Sequence, residues 1–412
     1  MFRRTDWGAI AAALAAGLAG ASAHGQSAGA QAAPTAGQPM AVMEPDVAVG
    51  GWPKIGLDTA FAVEYAGLNS RRGPDRDWGP SLRVDSTLLV DLDDSTQVSA
   101  LFQVKPREPL AASDPNRDLF INQGAGREEG GKFKELYLRH GDWRFGKFVQ
   151  GFGRAYANLP GPYAADMIEE PEEGYEPSDM IGIERLHVFD DESKGWRQVT
   201  ATLFMVDRTF LHESFPYNEG LIHYRDGGVG NTRWPENLMI AYDVLNRPVG
   251  TWAHMNYQLS AIRWGKTYGN DRAEFWTTAG ADLVIPLKGS IAETLRSEYS
   301  QLLIYGEAAR RDNFEGVAGR ARNWVSGSVE YMTGAWTFDL TATERWTTDR
   351  TDPTRRDHLY TGTLGYALPT NTVTQFSVAS EEIGDRSGIY AGLRITQTLT
   401  TCDRCLAKGR HY

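Results

Sequence analysis

From Gly56 onward, apolar and polar residues alternate with a period of two, the period of a β-strand, whose successive side chains face opposite sides. Leu82, Val84, Ser86, Leu88, Val90 and Leu92 share one face of such a segment, and Arg83, Asp85, Thr87, Leu89 and Asp91 share the other. Leu57, Thr59, Phe61, Val63 and Tyr65 oppose Asp58, Ala60, Ala62 and Glu64 in the same way. Val98, Ala100, Phe102 and Val104 oppose Gln97, Ser99, Gln103 and Lys105, and Trp336, Phe338, Leu340 and Ala342 oppose Thr337, Asp339, Thr341 and Thr343. Val199, Ala201, Leu203 and Met205, then Tyr360, Leu364, Tyr366 and Leu368, then Ile389, Ala391, Leu393 and Ile395 continue the pattern.

Alternation alone fits any half-buried antiparallel sheet, so the connections between segments decide the architecture. The pattern predicts sixteen strands, near residues 57–66, 81–92, 97–105, 132–140, 143–151, 181–189, 196–206, 238–246, 251–264, 274–285, 291–305, 323–333, 336–346, 358–368, 372–381 and 388–399. Connections after even-numbered strands are short, as at Gly141-Asp142 and Gly334-Ala335, and those after odd-numbered strands are mostly long, as at 106–131, 152–180 and 207–237. Short turns on one side, long loops on the other and an even strand count describe a transmembrane barrel. The expected fold is all-β: a single transmembrane antiparallel β-barrel over residues 51–399, with short periplasmic turns and long extracellular loops. Strands six, eight, eleven and fifteen alternate weakly, which leaves fourteen or eighteen strands as alternatives.

Composition agrees with this picture. The chain has 412 residues with a mean hydropathy of −0.42, and after the first 20 residues no apolar run approaches the length of a transmembrane helix. A barrel with lipid outside and water inside needs apolar side chains only at alternate positions, which reconciles a membrane location with a polar chain. Tyr65, Trp143, Trp252, Trp264, Trp336, Trp346 and Tyr360 near strand ends fit interfacial aromatic girdles. The formal charge of −11 and pI of about 5.3 argue against a nucleic-acid partner, because phosphate neutralisation needs a basic face. At the N-terminus, Arg3 and Arg4 precede an Ala/Leu-rich core and an Ala21-Ser22-Ala23 cleavage signature, so residues 1–23 read as a secretory signal and 24–50 as a low-complexity leader. Cleavage would leave a mature charge of −12, since residues 1–23 carry two Arg and one Asp.

The segment 152–180 is the third long connection. It holds seven carboxylates between Asp166 and Asp179, four prolines, and no Lys or Arg after Arg154. The stretch ELYLRHGDWRFGKFVQGFG (135–153), running into NLPGPY (158–163), resembles bacterial outer-membrane porins, whose Gly-rich fifth strand leads into an aromatic- and Gly-containing third loop. The similarity in layout covers about 340 residues and is specific only over these 30 or so. The resemblance implies a loop that folds back into the lumen, with Asp166, Glu169, Glu170, Glu172, Glu173 and Glu176 at a constriction. Lumenal parity then offers Arg83, Lys105, Arg139, Arg144 and Arg394 as a basic wall opposite, giving a transverse field. The alternative is an acidic surface loop bridged to lipopolysaccharide by divalent cations. The implied partners are outer-membrane lipid, lipopolysaccharide and small hydrophilic permeants, with a homotrimer by analogy; no cofactor is implied.

Other motifs are weaker. Gly141 to Lys147 reads G-x-x-x-x-G-K, but Phe148 stands where a phosphate loop needs Ser or Thr. No H-E-x-x-H occurs, and Asp207, His212 and Glu213 read as loop residues rather than a hydrolase site. Cys402 and Cys405 lie in a tail, 400–412, with no following His for haem attachment. This tail departs from the porin pattern, which ends on the aromatic closing the last strand. The expected function is passive diffusion of small hydrophilic solutes through a non-enzymatic channel with mild cation preference. The alternatives are a dedicated channel for an anion, sugar or exported polysaccharide, and a non-conducting enzyme or scaffold barrel.

Overall fold

The computed structural model describes residues 53–72, 76–104, 131–169, 174–189, 195–212, 222–269, 272–287, 300–349, 355–383 and 386–400. The expectations for the leader, for Lys105, for Glu170, Glu172 and Glu173, and for the cysteine tail fall outside them.

Sixteen strands follow one another in chain order: β1 (Lys54–Arg72), β2 (Arg76–Asp91), β3 (Thr96–Val104), β4 (Gly131–His140), β5 (Trp143–Lys147), β6 (Met180–Phe189), β7 (Trp196–Val206), β8 (Asn237–Val249), β9 (Ala253–Arg263), β10 (Phe275–Pro286), β11 (Ser300–Asp312), β12 (Ala321–Thr333), β13 (Trp336–Thr348), β14 (Arg355–Leu368), β15 (Thr372–Ile383) and β16 (Arg386–Thr400). Each pairs antiparallel with its sequence neighbours, and β1 pairs with β16 to close the ring. Closure leaves no strand edge, so every wall strand exchanges backbone hydrogen bonds on both sides. Among the described residues no helix is long and apolar enough to cross a membrane.

The register turns the period-two pattern into two surfaces of opposite polarity. Leu57, Phe61, Val63, Tyr65, Leu203, Phe338, Leu340, Leu364, Phe376, Leu393 and Ile395 all point outward and are exposed. The buried inner face carries Glu64, Gln97, Gln103, Thr202, Asp243, Gln258, Asp282, Thr343, Asp357 and Ser377. This is the reverse of a water-soluble protein, and it follows from lipid being the outer solvent. Cross-strand bonds satisfy the inner polar groups: Gln97 donates to Asp91 at 2.7 Å, Gln103 to Asp85 at 2.7 Å, Gln258 to Asp243 at 2.7 Å, and Arg345 to Asp357 at 2.8 Å.

Three of the differences from expectation have a local physical reason. β11 runs from Ser300 to Asp312, past the expected end at 305, while its expected start at 291 lies outside the described residues. The strand continues through Arg310 and Arg311 because both charges are met: Arg310 pairs with Asp312 across the outer face, and Arg311 pairs with Glu274 inside. β5 ends at Lys147 rather than 151, because Phe148, Gln150 and Phe152 alternate as a strand would but are buried inside the ring. β8 alternates poorly because its register slips between Val244 and Arg247, with Asn246 at φ 54°, a bulge that Asn tolerates.

The outer face makes a direct test. Leu340 is 70% exposed on it, and Leu340→Arg is expected to cost about 2–4 kcal/mol near the bilayer midplane. The same change at inward-facing Thr337, opposed by Met332 and Gly365, leaves stability nearly unchanged. Reversible urea unfolding in lipid vesicles measures both, and equal losses would show that the apolar face does not meet lipid.

Candidate functional site

Leaving β5, the chain turns inward. Gly153 adopts φ 76°, and a Cβ there would stand 2.8 Å from the Glu307 carboxylate, so only glycine fits the turn. Backbone groups then dock on the inner wall of β9: Gln258 donates to the Gly151 carbonyl at 3.1 Å, and the Gly153 N–H donates to Ser260 at 3.3 Å. Arg154 follows, donating its backbone N–H to Glu307 on β11 at 2.5 Å and its guanidinium to Asp282 on β10 at 2.8 Å. Both carboxylates and the arginine are buried, so the pairing offsets desolvation that neither charge could bear alone.

Two short helices continue the loop, α1 (Ala155–Asn158) and α2 (Asp166–Glu169). Between them Tyr163 reaches β1, where its hydroxyl donates to Glu64 at 2.7 Å, and its ring meets Tyr390 of β16 edge-on at 4.2 Å. Arg394 of β16 holds the other oxygen of Glu64 at 2.6 Å. Gly392 makes the approach feasible, since any Cβ there would collide with the Tyr163 hydroxyl. Coming back, Tyr175 donates to Glu307 at 2.6 Å, and Arg311 donates to the Gly174 carbonyl at 2.7 Å. In the ring β1 lies seven strands from β10, so Arg154 and Tyr163 attach the loop to nearly opposite walls. The loop crosses the lumen.

Packing reinforces these bonds. Phe152, Ala155, Leu159 and Tyr175 form one cluster with Phe204, Met239, Ile262, Trp276 and Trp324, which are inward-facing residues of β7 to β12. Tyr163 and Met167 form a second with Ala66, Leu359, Ala379 and Ile383.

Both ends of the loop converge on one buried ion cluster. Lys147, 0% exposed, lies 2.9 Å from Asp179 and 3.2 Å from Asp207, and donates to the Leu211 carbonyl at 3.0 Å. Lys132 meets the second oxygen of Asp179 at 3.2 Å. Burial alone would raise the Asp179 carboxyl, but the Lys132 and Lys147 ammoniums outweigh it and hold the group well below its ordinary value. Burial also lowers His212, beside this cluster. Asp207 additionally accepts from the Thr209 backbone and hydroxyl, at 2.9 and 2.7 Å, which accounts for it as a turn-forming group.

Of the expected acidic residues, Asp166 is exposed at the start of α2, Glu176 is half-buried, and Glu169 is described only in its backbone. Of the expected basic residues, Arg83 pairs with Asp85 at 2.7 Å, Arg144 with Glu184 at 2.7 Å, and Arg394 with Glu64. Arg139 donates to the Gly141 carbonyl at 3.3 Å, at a short turn, and faces Arg144 across β4 and β5. Arg394 is drawn into the loop's attachment through Glu64. In these anchors the loop supplies Arg154 and the wall supplies Asp282 and Glu307, a polarity opposite to that of an acidic loop against a basic wall. Sequence reasoning passed over Arg154, Tyr163, Tyr175, Asp282, Glu307, Arg311 and Lys147. A signal existed for Asp282, a lone charge at lumenal parity among Ala, Gly and Val. Among the described residues, no group of three or more His, Cys, Asp or Glu could hold a metal.

The fold is that of the bacterial outer-membrane porins. The chain is similar to the outer membrane channel DcaP of Acinetobacter baumannii, with a TM-score of 0.50 and 10% identity over 84% of this chain and 97% of that one. It is equally similar to the anion-selective porin from Comamonas acidovorans, with a TM-score of 0.50 and 10% identity over 84% and 100% of the two chains. No family model and no curated protein matches the sequence.

The ion cluster carries a stability prediction. Lys147→Met leaves buried Asp207 without its cation and Asp179 with Lys132 alone, and is expected to cost about 3–5 kcal/mol in urea unfolding. Because the Asp179 value is depressed, its contribution is complete above the ordinary aspartate value of 3.8 and is lost as pH falls below it. A wild-type unfolding midpoint that does not move on acidification below that value would refute the assignment.

Proposed function

We propose that the chain is an outer-membrane channel through which small hydrophilic solutes diffuse passively, narrowed by the 152–180 loop. The observation that carries this reading is the loop's attachment to opposite inner walls, through Arg154 with Asp282 and Glu307 on one side and Tyr163 with Glu64 on the other. A closed polar-lined ring supplies the passage, and a loop fixed across it sets the width. Asp166, Glu169, Glu170, Glu172, Glu173 and Glu176 give the narrowed region its negative field, while Arg83, Lys105, Arg139, Arg144 and Arg394 modulate the wall. With a formal charge of −11, the channel prefers cations mildly. One protein of the same fold is an anion-selective porin, so selectivity belongs to the charges and not to the fold. Residues 1–23 direct export and are removed, the outer belt meets lipid and lipopolysaccharide, and three copies assemble, a stoichiometry that crosslinking in membranes would test.

Planar bilayers test the reading. Wild-type protein is expected to give discrete conductance steps and a reversal potential favouring cations in a salt gradient. Replacing Glu170, Glu172 and Glu173 with Gln moves that potential toward zero. Tyr163→Phe removes one charge-assisted hydrogen bond, worth about 1.5–3 kcal/mol, and raises conductance or its noise as the loop loosens. A folded barrel that passes no current, or one that favours anions, overturns the proposal in its first or second part. Mass spectrometry of the mature protein checks cleavage after Ala23.

A further inference from the structure

On the inner wall at β12 and β13, Glu330 and Asp339 stand directly opposite each other in the register. Directly opposed Cβ atoms lie about 4.5–5.5 Å apart, so two unpartnered carboxylates in this position repel strongly. Elsewhere on the inner face a carboxylate is met by Arg, Lys, Gln or Tyr, as at Glu64, Asp85, Asp243 and Asp357. Asp339 is 5% exposed, and its Oδ1 is buried with no hydrogen-bond partner. One row further along the same face lie Ser328 and Thr341, opposed to each other, 5% and 6% exposed, with both hydroxyl oxygens buried and unpartnered. Four oxygen-bearing side chains therefore share one lumenal patch with two formal negative charges.

We propose that this patch binds a hard divalent cation, calcium, between the Glu330 and Asp339 carboxylates, with Ser328 and Thr341 as neutral donors and water completing the shell. The chemistry selects the ion. Calcium takes six to eight oxygen ligands at about 2.3–2.6 Å in flexible geometry, which suits two carboxylates reaching from adjacent strands. Zinc and copper are disfavoured, since no imidazole or thiolate contributes. Two positive charges neutralise the pair and give the orphaned hydroxyls a partner. The site belongs to the barrel wall and does not depend on whether the barrel conducts.

The test is calcium binding to the full refolded chain in detergent micelles, by equilibrium dialysis with radioactive calcium, together with thermal unfolding in calcium and in chelator. Wild-type protein is expected to bind one calcium more than Asp339→Asn or Glu330→Gln, while the Glu170, Glu172 and Glu173 to Gln variant keeps that ion. Calcium raises the wild-type unfolding temperature but not that of Asp339→Asn, which in chelator is the more stable of the two because the repulsion is gone. Equal calcium binding by wild type and Asp339→Asn, or equal stabilisation of both, overturns the site. Should the charge variants fail to fold, Ser328→Ala with Thr341→Val leaves the charge intact. It is expected to weaken calcium binding by about tenfold or more, and unchanged affinity would refute the assignment.

Discussion

A hydrocarbon layer offers no partner to backbone N–H and C=O groups, and the rest of this structure follows from how that requirement is met. Every strand of the ring bonds to a neighbour on each side, with β1 against β16 closing the last gap. Once the backbone is satisfied by closure, the side chains are free to divide by parity, apolar toward lipid and polar toward water. The result is a protein whose exposed surface is its greasy one, with Leu340 and Val63 more exposed than nearly any lumenal polar group. The acidic, low-hydropathy composition is a consequence of this division, because half of each strand faces water.

Closure also creates the problem that the third loop addresses. A ring of sixteen strands encloses space, and the chain occupies it with a segment that carries its own anchors. Burying Arg154, Lys147, Asp282 and Glu307 would be prohibitive singly, so each is bonded within a group. Glu307 serves two partners at once, the Arg154 backbone and the Tyr175 hydroxyl, and lies against the close turn at Gly153. The aromatic cluster around Trp276 and Trp324 then excludes water from these bonds and strengthens them. A loop held in this way is part of the wall in mechanical terms, which is what a fixed aperture requires.

Much of the barrel was legible in the chain. The sixteen strands appear in the expected order, because a period-two pattern is imposed by the two solvents and survives in sequence as a local signal. It misled only where an alternating stretch served another purpose. Phe148, Gln150 and Phe152 alternate because one side of a lumenal segment packs on the wall, not because the segment is wall. Arg310 and Arg311 resembled the end of a strand because charge usually marks a loop, whereas here Arg310 bonds Asp312 on its own strand and Asn323 on β12, and Arg311 pairs with Glu274. The acidic character of the loop was equally plain, and its basic anchor was not.

The sequence by itself determined the two faces, the order of the strands and the acidic third connection, all of which depend on residues close together in the chain. Only the tertiary structure decided which residues hold that connection across the lumen. Arg154 and Glu307 are 153 positions apart, Tyr163 and Glu64 are 99, and Glu64 and Arg394 are 330. Such pairs have no local signature: a tyrosine in a loop and a glutamate in a strand become partners only when ring closure fixes their height and bearing. Periodicity is set by solvent and is written locally, whereas the loop's position across the lumen is set by contacts that exist only after the ring has closed.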